Sequence, residues 1–177
     1  MNVVFAKSLV LAVYPFSRGF AFVLFESPDS PFDWGVKEIR DKQRNVKTLD
    51  EIKDLIDRYC PEALVIEDMG DKAGRRSSRI KKLYQMINHL AVTEHIDLYR
   101  IPNADIKRYF ATVGASNKYE IAKAIGRQIP AFNHRLPRYR KPWMSADPRQ
   151  SLFDAAALGL VFYGNRGVLS PFGNDEA

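Results

Sequence analysis

A chain of 177 residues with 46% hydrophobic and 27% charged residues has the composition of an ordinary globular domain, which excludes a disordered or collagen-like chain. Its apolar runs, Leu9 to Tyr14 and Phe20 to Phe25 among them, fall far short of the roughly 20 residues that a bilayer-spanning helix needs. A formal net charge of +6 favours polyanionic partners, and the single Cys60 excludes an intrachain disulfide.

In chain order, Leu9 to Tyr14 and Phe20 to Glu26 read as two antiparallel strands joined by a turn over Pro15-Phe16-Ser17-Arg18-Gly19. Alternation over Trp34 to Ile39 predicts a third strand. Thr48-Leu49-Asp50-Glu51 has the pattern of a capping box, and Ile52, Leu55, Ile56 and Tyr59 follow at helical spacing until Pro61. That helix leads into Ala63-Leu64-Val65-Ile66-Glu67-Asp68, an unbroken apolar run that stops on two carboxylates and suits a strand buried on both faces. A second amphipathic helix is marked by Ile80, Leu83, Tyr84, Ile87, Leu90 and Ala91, and Asp97 to Ile101 predicts a fifth strand.

Asn103 is placed to cap a helix running to Phe110, and Asn117 to cap another containing Ile121, Ala122 and Ile125, with Glu120 positioned to reach back. Ile129 to Trp143, rich in Pro, Arg and aromatic residues, reads as a loop ordered against a partner. Asp147-Pro148 opens the last helix, with Asp147 as its cap and Leu152, Ala155, Ala156, Leu158, Gly159 and Phe162 on its apolar face. There is no internal repeat. The expectation is one α/β domain over residues 1–164 with a tail over 165–177, cytoplasmic and without a secretory signal or membrane anchor.

Two acids stand out by position. Glu67 ends a central strand, where open α/β sheets bind ligands and where a carboxylate can hold Mg2+ or move a proton. Asp154 sits between Phe153 and Ala155-Ala156, on a helix built for burial, where a charge must be paired or metal-bound. In a continuing strand Asp68 points to the face opposite Glu67. Positive charge is clustered in Arg75, Arg76, Arg79, Lys81 and Lys82, and again in Arg135, Arg138, Arg140 and Lys141 with Tyr139 and Trp143 interleaved. Such clusters suit a phosphate backbone, the alternative being solvated faces. His89, His95 and His134 have no metal-ligand spacing.

The order of elements and acids resembles the RuvC-type Holliday-junction resolvases of the RNase H-like superfamily. The likeness rests on Leu11 to Phe20, on Val65-Ile66-Glu67, on Ile101-Pro102 through Lys107 with Gly114-Ala115-Ser116-Asn117-Lys118, and on Phe153-Asp154-Ala155-Ala156-Ala157-Leu158. The resemblance implies a mixed five-stranded sheet flanked by helices, a homodimer, and cutting of four-way-junction DNA with Mg2+ or Mn2+ held by acids. It would make Glu67 and Asp154 catalytic and metal-binding, and would set Lys107, Gly114, Ser116 and Lys118 against DNA phosphates, with Arg18, Arg75, Arg76 and Arg79 as further contacts.

Two positions depart from the family pattern. Tyr14 stands where the first aspartate is expected, and Ser151 where another acid often precedes Asp154 by one turn. A phenol with a pKa near about 10 is a poor ligand for a hard cation. Three readings therefore follow: an endonuclease using Glu67 and Asp154 alone, a degenerate protein that binds or scaffolds branched DNA, or a subunit completed by a protein partner docked on Arg135 to Trp143.

Overall fold

The Val-, Leu- and Phe-rich runs at the head of the chain extend as β1 (Val10–Phe16) and β2 (Gly19–Ser27), paired antiparallel so closely that only Ser17 and Arg18 are left to turn. The computed structural model describes residues 8–70, 76–141, 143–145 and 147–166. β3 (Ser30–Glu38) adds antiparallel to β2 and begins four residues earlier than alternation alone predicts. β4 (Ala63–Asp68) lies parallel to β1, and β5 (Asp97–Pro102) parallel to β4, giving the sheet order β3-β2-β1-β4-β5. The five-stranded mixed sheet expected from the sequence is present. Arg75 and the expected tail beyond Arg166 lie outside the described residues.

Because side chains alternate across a strand, the sheet divides its apolar residues between two cores. On one face, Leu11, Val13, Leu64 and Ile66 meet α1 (Arg44–Tyr59) and α2 (Ser78–Thr93). All six residues expected on the inner face of α2 are buried. On the other face, Val10, Ala12, Val65 and Ile101 meet α3 (Asn103–Ala111), α4 (Lys118–Gln128) and α5 (Gln150–Gly164). Helix α5 contacts all five strands as well as α3 and α4, and is buried almost all round rather than along a single stripe. Among the described residues, no helix is long and apolar enough to cross a membrane.

Four local expectations are corrected. Thr48 does not cap α1: the helix starts at Arg44, a turn earlier, and Thr48 is buried within it while Glu51 pairs with Lys37 of β3. The start is set upstream, where Asp41 accepts from the Gln43 amide. Asn103 is the first residue of α3 rather than its cap, that position being Pro102. The loop after α4 begins as a short 3-10 helix, Pro130–Arg135, because Phe132 is an anchor, fully buried against Trp34 and Phe153. Asp147 does not cap α5, which begins three residues later; its carboxylate accepts from the Arg138 and Arg149 amides and ties the preceding loop to the helix entrance. Asn117 does cap α4, accepting from the Glu120 amide.

The depth of α5 depends on small residues. A Cβ on Gly159 would lie 2.2 Å from the ring of Phe25, itself fully buried. Gly159→Ala should therefore lower stability by about 1–3 kcal/mol in urea unfolding, the clash outweighing the roughly 1 kcal/mol that alanine gains in a helix. An unchanged or raised midpoint would show that α5 has room to move.

Candidate functional site

Parallel pairing of β1 with β4 sets Ala12 opposite Val65, so two residues on, toward the strands' carboxyl ends, Tyr14 comes level with Glu67 on the same face. Helix α5 crosses beneath that face and brings Asp154 to the same place. Tyr14, Glu67 and Asp154, from three elements, line one cleft of about 280 Å3 together with Arg76, Lys107 and Lys118. Of the four residues that the resemblance sets around one site, these three share the cleft. Ser151 lies one turn before Asp154 and lines the adjoining recess with Tyr14 and Arg18.

Each acid already has a cation. Arg76, at the foot of α2, places Nη2 2.8 Å from Oε2 of Glu67, whose side chain is only 7% exposed. Lys118, at the start of α4, places Nζ 3.2 Å from Oδ2 of Asp154, and Gln150 donates to Oδ1 at 3.4 Å. Tyr14 lies between the pairs, its ring centre 6.0 Å from the Arg76 guanidinium carbon and 5.7 Å from Lys118 Nζ. Both separations are within reach of a cation–ring attraction.

The protonation states follow from this packing. Burial raises the Tyr14 phenol above its usual range, and the negative field of Asp154 adds to it, so Tyr14 is a neutral phenol across the working pH range. Burial alone would lower Lys118, but the Asp154 carboxylate, through its charge and its hydrogen bond, outweighs it and holds the ammonium charged. Arg76 is likewise held charged, the Glu67 carboxylate countering the effect of burial. Burial lifts the Asp154 carboxyl above the usual carboxylate range, which Lys118 and Gln150 offset only in part.

This donor set does not fit a magnesium ion. Mg2+ requires near-octahedral oxygen ligands, commonly one or two carboxylates with waters and phosphate oxygens. Here each carboxylate is paired with a cation through one oxygen, Tyr14 is neutral, and the Ser151 hydroxyl donates to the Pro148 carbonyl at 3.0 Å. Among the described residues no group of three or more His, Cys, Asp or Glu side chains could hold a metal. A dication within about 4 Å of a guanidinium is repelled by roughly 8 kcal/mol at an effective dielectric of 20, as much as one carboxylate at that distance attracts it.

The remaining candidates divide between the cleft rim and other duties. Lys107 and Arg18 are exposed at the rim. Gly114 has a φ of +76° in the turn after α3, a backbone conformation that glycine adopts without strain, and open space where a Cβ would point. Ser116 donates from both amide and hydroxyl to Glu120, which reaches back one residue further than a capping box requires. Arg79 is committed to the fold, donating to the Ser17 carbonyl and to Asn45. Arg76 and Lys118, expected as phosphate contacts, are the counter-ions of Glu67 and Asp154. The sequence left pairing of Asp154 with a nearby Arg or Lys open, and did not single out which residue supplies it.

Solved structures of similar architecture include Thermus thermophilus RuvC in complex with a Holliday junction substrate, with a TM-score of 0.66 and 16% identity over 93% of this chain and 99% of that one. The chain has a RuvC-type fold. A second Thermus thermophilus RuvC structure gives a TM-score of 0.62 at 16% identity over 93% and 99% of the two chains. The yeast mitochondrial Holliday junction resolvase Ydc2 gives 0.61 at 14% identity, over 92% of this chain and 81% of that one. No protein-family model and no curated protein matches the chain.

The elevated Asp154 carboxyl has a signed consequence. A carboxyl raised by folding is a liability while ionised, and that liability disappears as pH falls through its folded pKa toward the unfolded value near about 3.9. Asp154→Asn should therefore raise the urea midpoint at neutral pH, with the gain shrinking on acidification. Lys118, 65% exposed at its side chain, remains solvated without its partner. A loss of stability at neutral pH that grows with pH would mean that the pair outweighs the burial of Asp154.

Proposed function

We propose that this protein binds branched DNA, with four-way junctions as its preferred form, and holds the DNA without hydrolysing it. The observation that carries this reading is the pair of internal ion pairs, Arg76 with Glu67 and Lys118 with Asp154, in the cleft where the fold gathers its polar groups. They leave two carboxylates, two cations and a neutral phenol, an assembly with no net charge and with each carboxylate already bound to a cation, where two-metal cleavage needs carboxylates given over to the ions that stabilise attacking and leaving oxygens. The fold supports the choice of DNA, since a RuvC-type protein of the same architecture is seen with a Holliday junction substrate.

Recognition would be of backbone and shape. Lys107 and Arg18 on the rim, and the exposed turn at Gly114, suit contacts to phosphates that position a duplex arm without reading its bases. Two copies of the chain would match the two-fold symmetry of a four-way junction.

Gel-shift titration in EDTA should show a four-way junction bound more tightly than a linear duplex of the same length. The same complex should remain uncut in Mg2+ and in Mn2+. Lys107→Ala and Arg18→Ala should each weaken binding and reduce the salt dependence by about one counterion. Metal-dependent cutting by the native chain that is abolished in Glu67→Gln would overturn the reading in favour of a nuclease.

A further inference from the structure

On the α1 and α2 side of the sheet, an open recess of about 610 Å3 shares no lining residue with the cleft. Four cations line it, Lys42 and Arg44 at the start of α1 and Arg79 and Lys82 in the first turns of α2. Among the described residues none of the four forms an ion pair with an acid. The two arginines are held side by side. Arg44 Nη1 and Arg79 Nη2 both donate to the Ser17 carbonyl, at 2.7 and 2.9 Å, so two like charges share one neutral acceptor. Arg79 is fixed further by Asn45, whose amide donates to the Arg79 carbonyl at 2.9 Å and whose Oδ1 accepts from Arg79 Nη1 at 3.0 Å. Burial lowers the Arg79 pKa from its usual range, and the charge of Arg44 lowers it further. Arg44 Nε is withdrawn from water and has no acceptor.

The backbone adds to this positive field. Helix α1 opens with no acid in its first turn and no side-chain cap, Asp41 engaging the Gln43 amide just before it, and Lys42 and Arg44 stand at the positive end of its dipole. The first turn of α2, capped by Ser77, likewise holds no acid. Cations crowded at helix N-termini weaken a fold, and a bound anion reverses that effect for all of them at once. Guanidinium groups grip phosphate oxygens through paired N–H donors, and the amides that open a helix face the same kind of group. A duplex spreads its charge along its length, one to each phosphate. A polyphosphate gathers several charges at one point, as the cations are gathered here.

We propose that Lys42, Arg44, Arg79 and Lys82, with the start of α1, form a binding site for a compact polyphosphate, the chemistry shared by free pyrophosphate and a nucleoside triphosphate. The site is separate from the cleft and does not depend on the branched-DNA reading.

The test is isothermal titration calorimetry of the full chain in EDTA, with pyrophosphate and separately with ATP. Pyrophosphate should bind saturably, and it should raise the urea midpoint of the native chain more than that of Arg44→Gln. Lys42→Gln combined with Lys82→Gln, both exposed, should weaken binding about tenfold, and this pair reads the same site if Arg44→Gln fails to fold. Lys53→Gln, which removes a cation elsewhere on α1, should bind as the native chain does. Equal affinity for the two probes would assign the site to the phosphate groups alone, and tighter binding of ATP would assign it to a nucleotide; both uphold the proposal. No saturable binding of either probe, or equal weakening by Lys53→Gln, would overturn it. So would an Arg44→Gln variant that loses affinity for duplex DNA while the native chain ignores pyrophosphate, a result that would give these cations to a DNA arm.

Discussion

A carboxylate that ends a central strand beneath a packed helix cannot be left alone, since an unpaired buried charge is among the costliest arrangements a fold can hold. Glu67 is in that position, and so is Asp154 across the same cleft. Much else at this end of the molecule follows from how the two are neutralised. Arg76 anchors the foot of α2 to β4, and Lys118 anchors the start of α4 to α5. The two pairs thus tie the helices on both faces of the sheet to one point. Their energies are unequal. The Arg76–Glu67 pair is largely withdrawn from water, so breaking it by removing the arginine would leave a buried charge, whereas Lys118 is mostly solvated and its pair contributes little by itself.

The same constraint explains how the cleft holds its shape. For two carboxylates the chain's own arginine and lysine suffice, and the neutral Tyr14 ring lies between the two pairs. A cleft neutralised from within has no electrostatic demand for metal. It still presents a positive rim through Lys107 and Arg18, so the proposed contact with a phosphate backbone would not depend on the chemistry that the centre supports.

Much of the architecture was readable along the chain because it rests on periodicity. The alternation that buries β1, β2 and β4, and the helical spacing of Ile80 to Ala91, leave little freedom in which face turns inward. Cap positions were less readable. Thr48, Asn103 and Asp147 each have the right residue type for a cap, yet the helix start was decided elsewhere: by Asp41 upstream of α1, by the geometry of Pro102 before α3, and by Asp147 serving the loop instead of the helix. At the candidate site, the places of Glu67, Asp154, Tyr14 and Ser151 could be read from their order along the chain. The partners of the acids could not, because Arg76 follows Glu67 by nine residues with a loop between and Lys118 precedes Asp154 by 36, and the packing of α2 and α4 decides which cations of those segments reach the cleft.

The central claim is that Arg76 and Lys118 stand in for metal. The most direct measurement is titration of the purified protein with Mn2+, followed by electron paramagnetic resonance of the free ion, on the native chain and on Glu67→Gln. The account predicts that the ion stays free in both, with no stoichiometric site. Stoichiometric uptake by the native chain that Glu67→Gln abolishes would contradict it and return the cleft to metal chemistry.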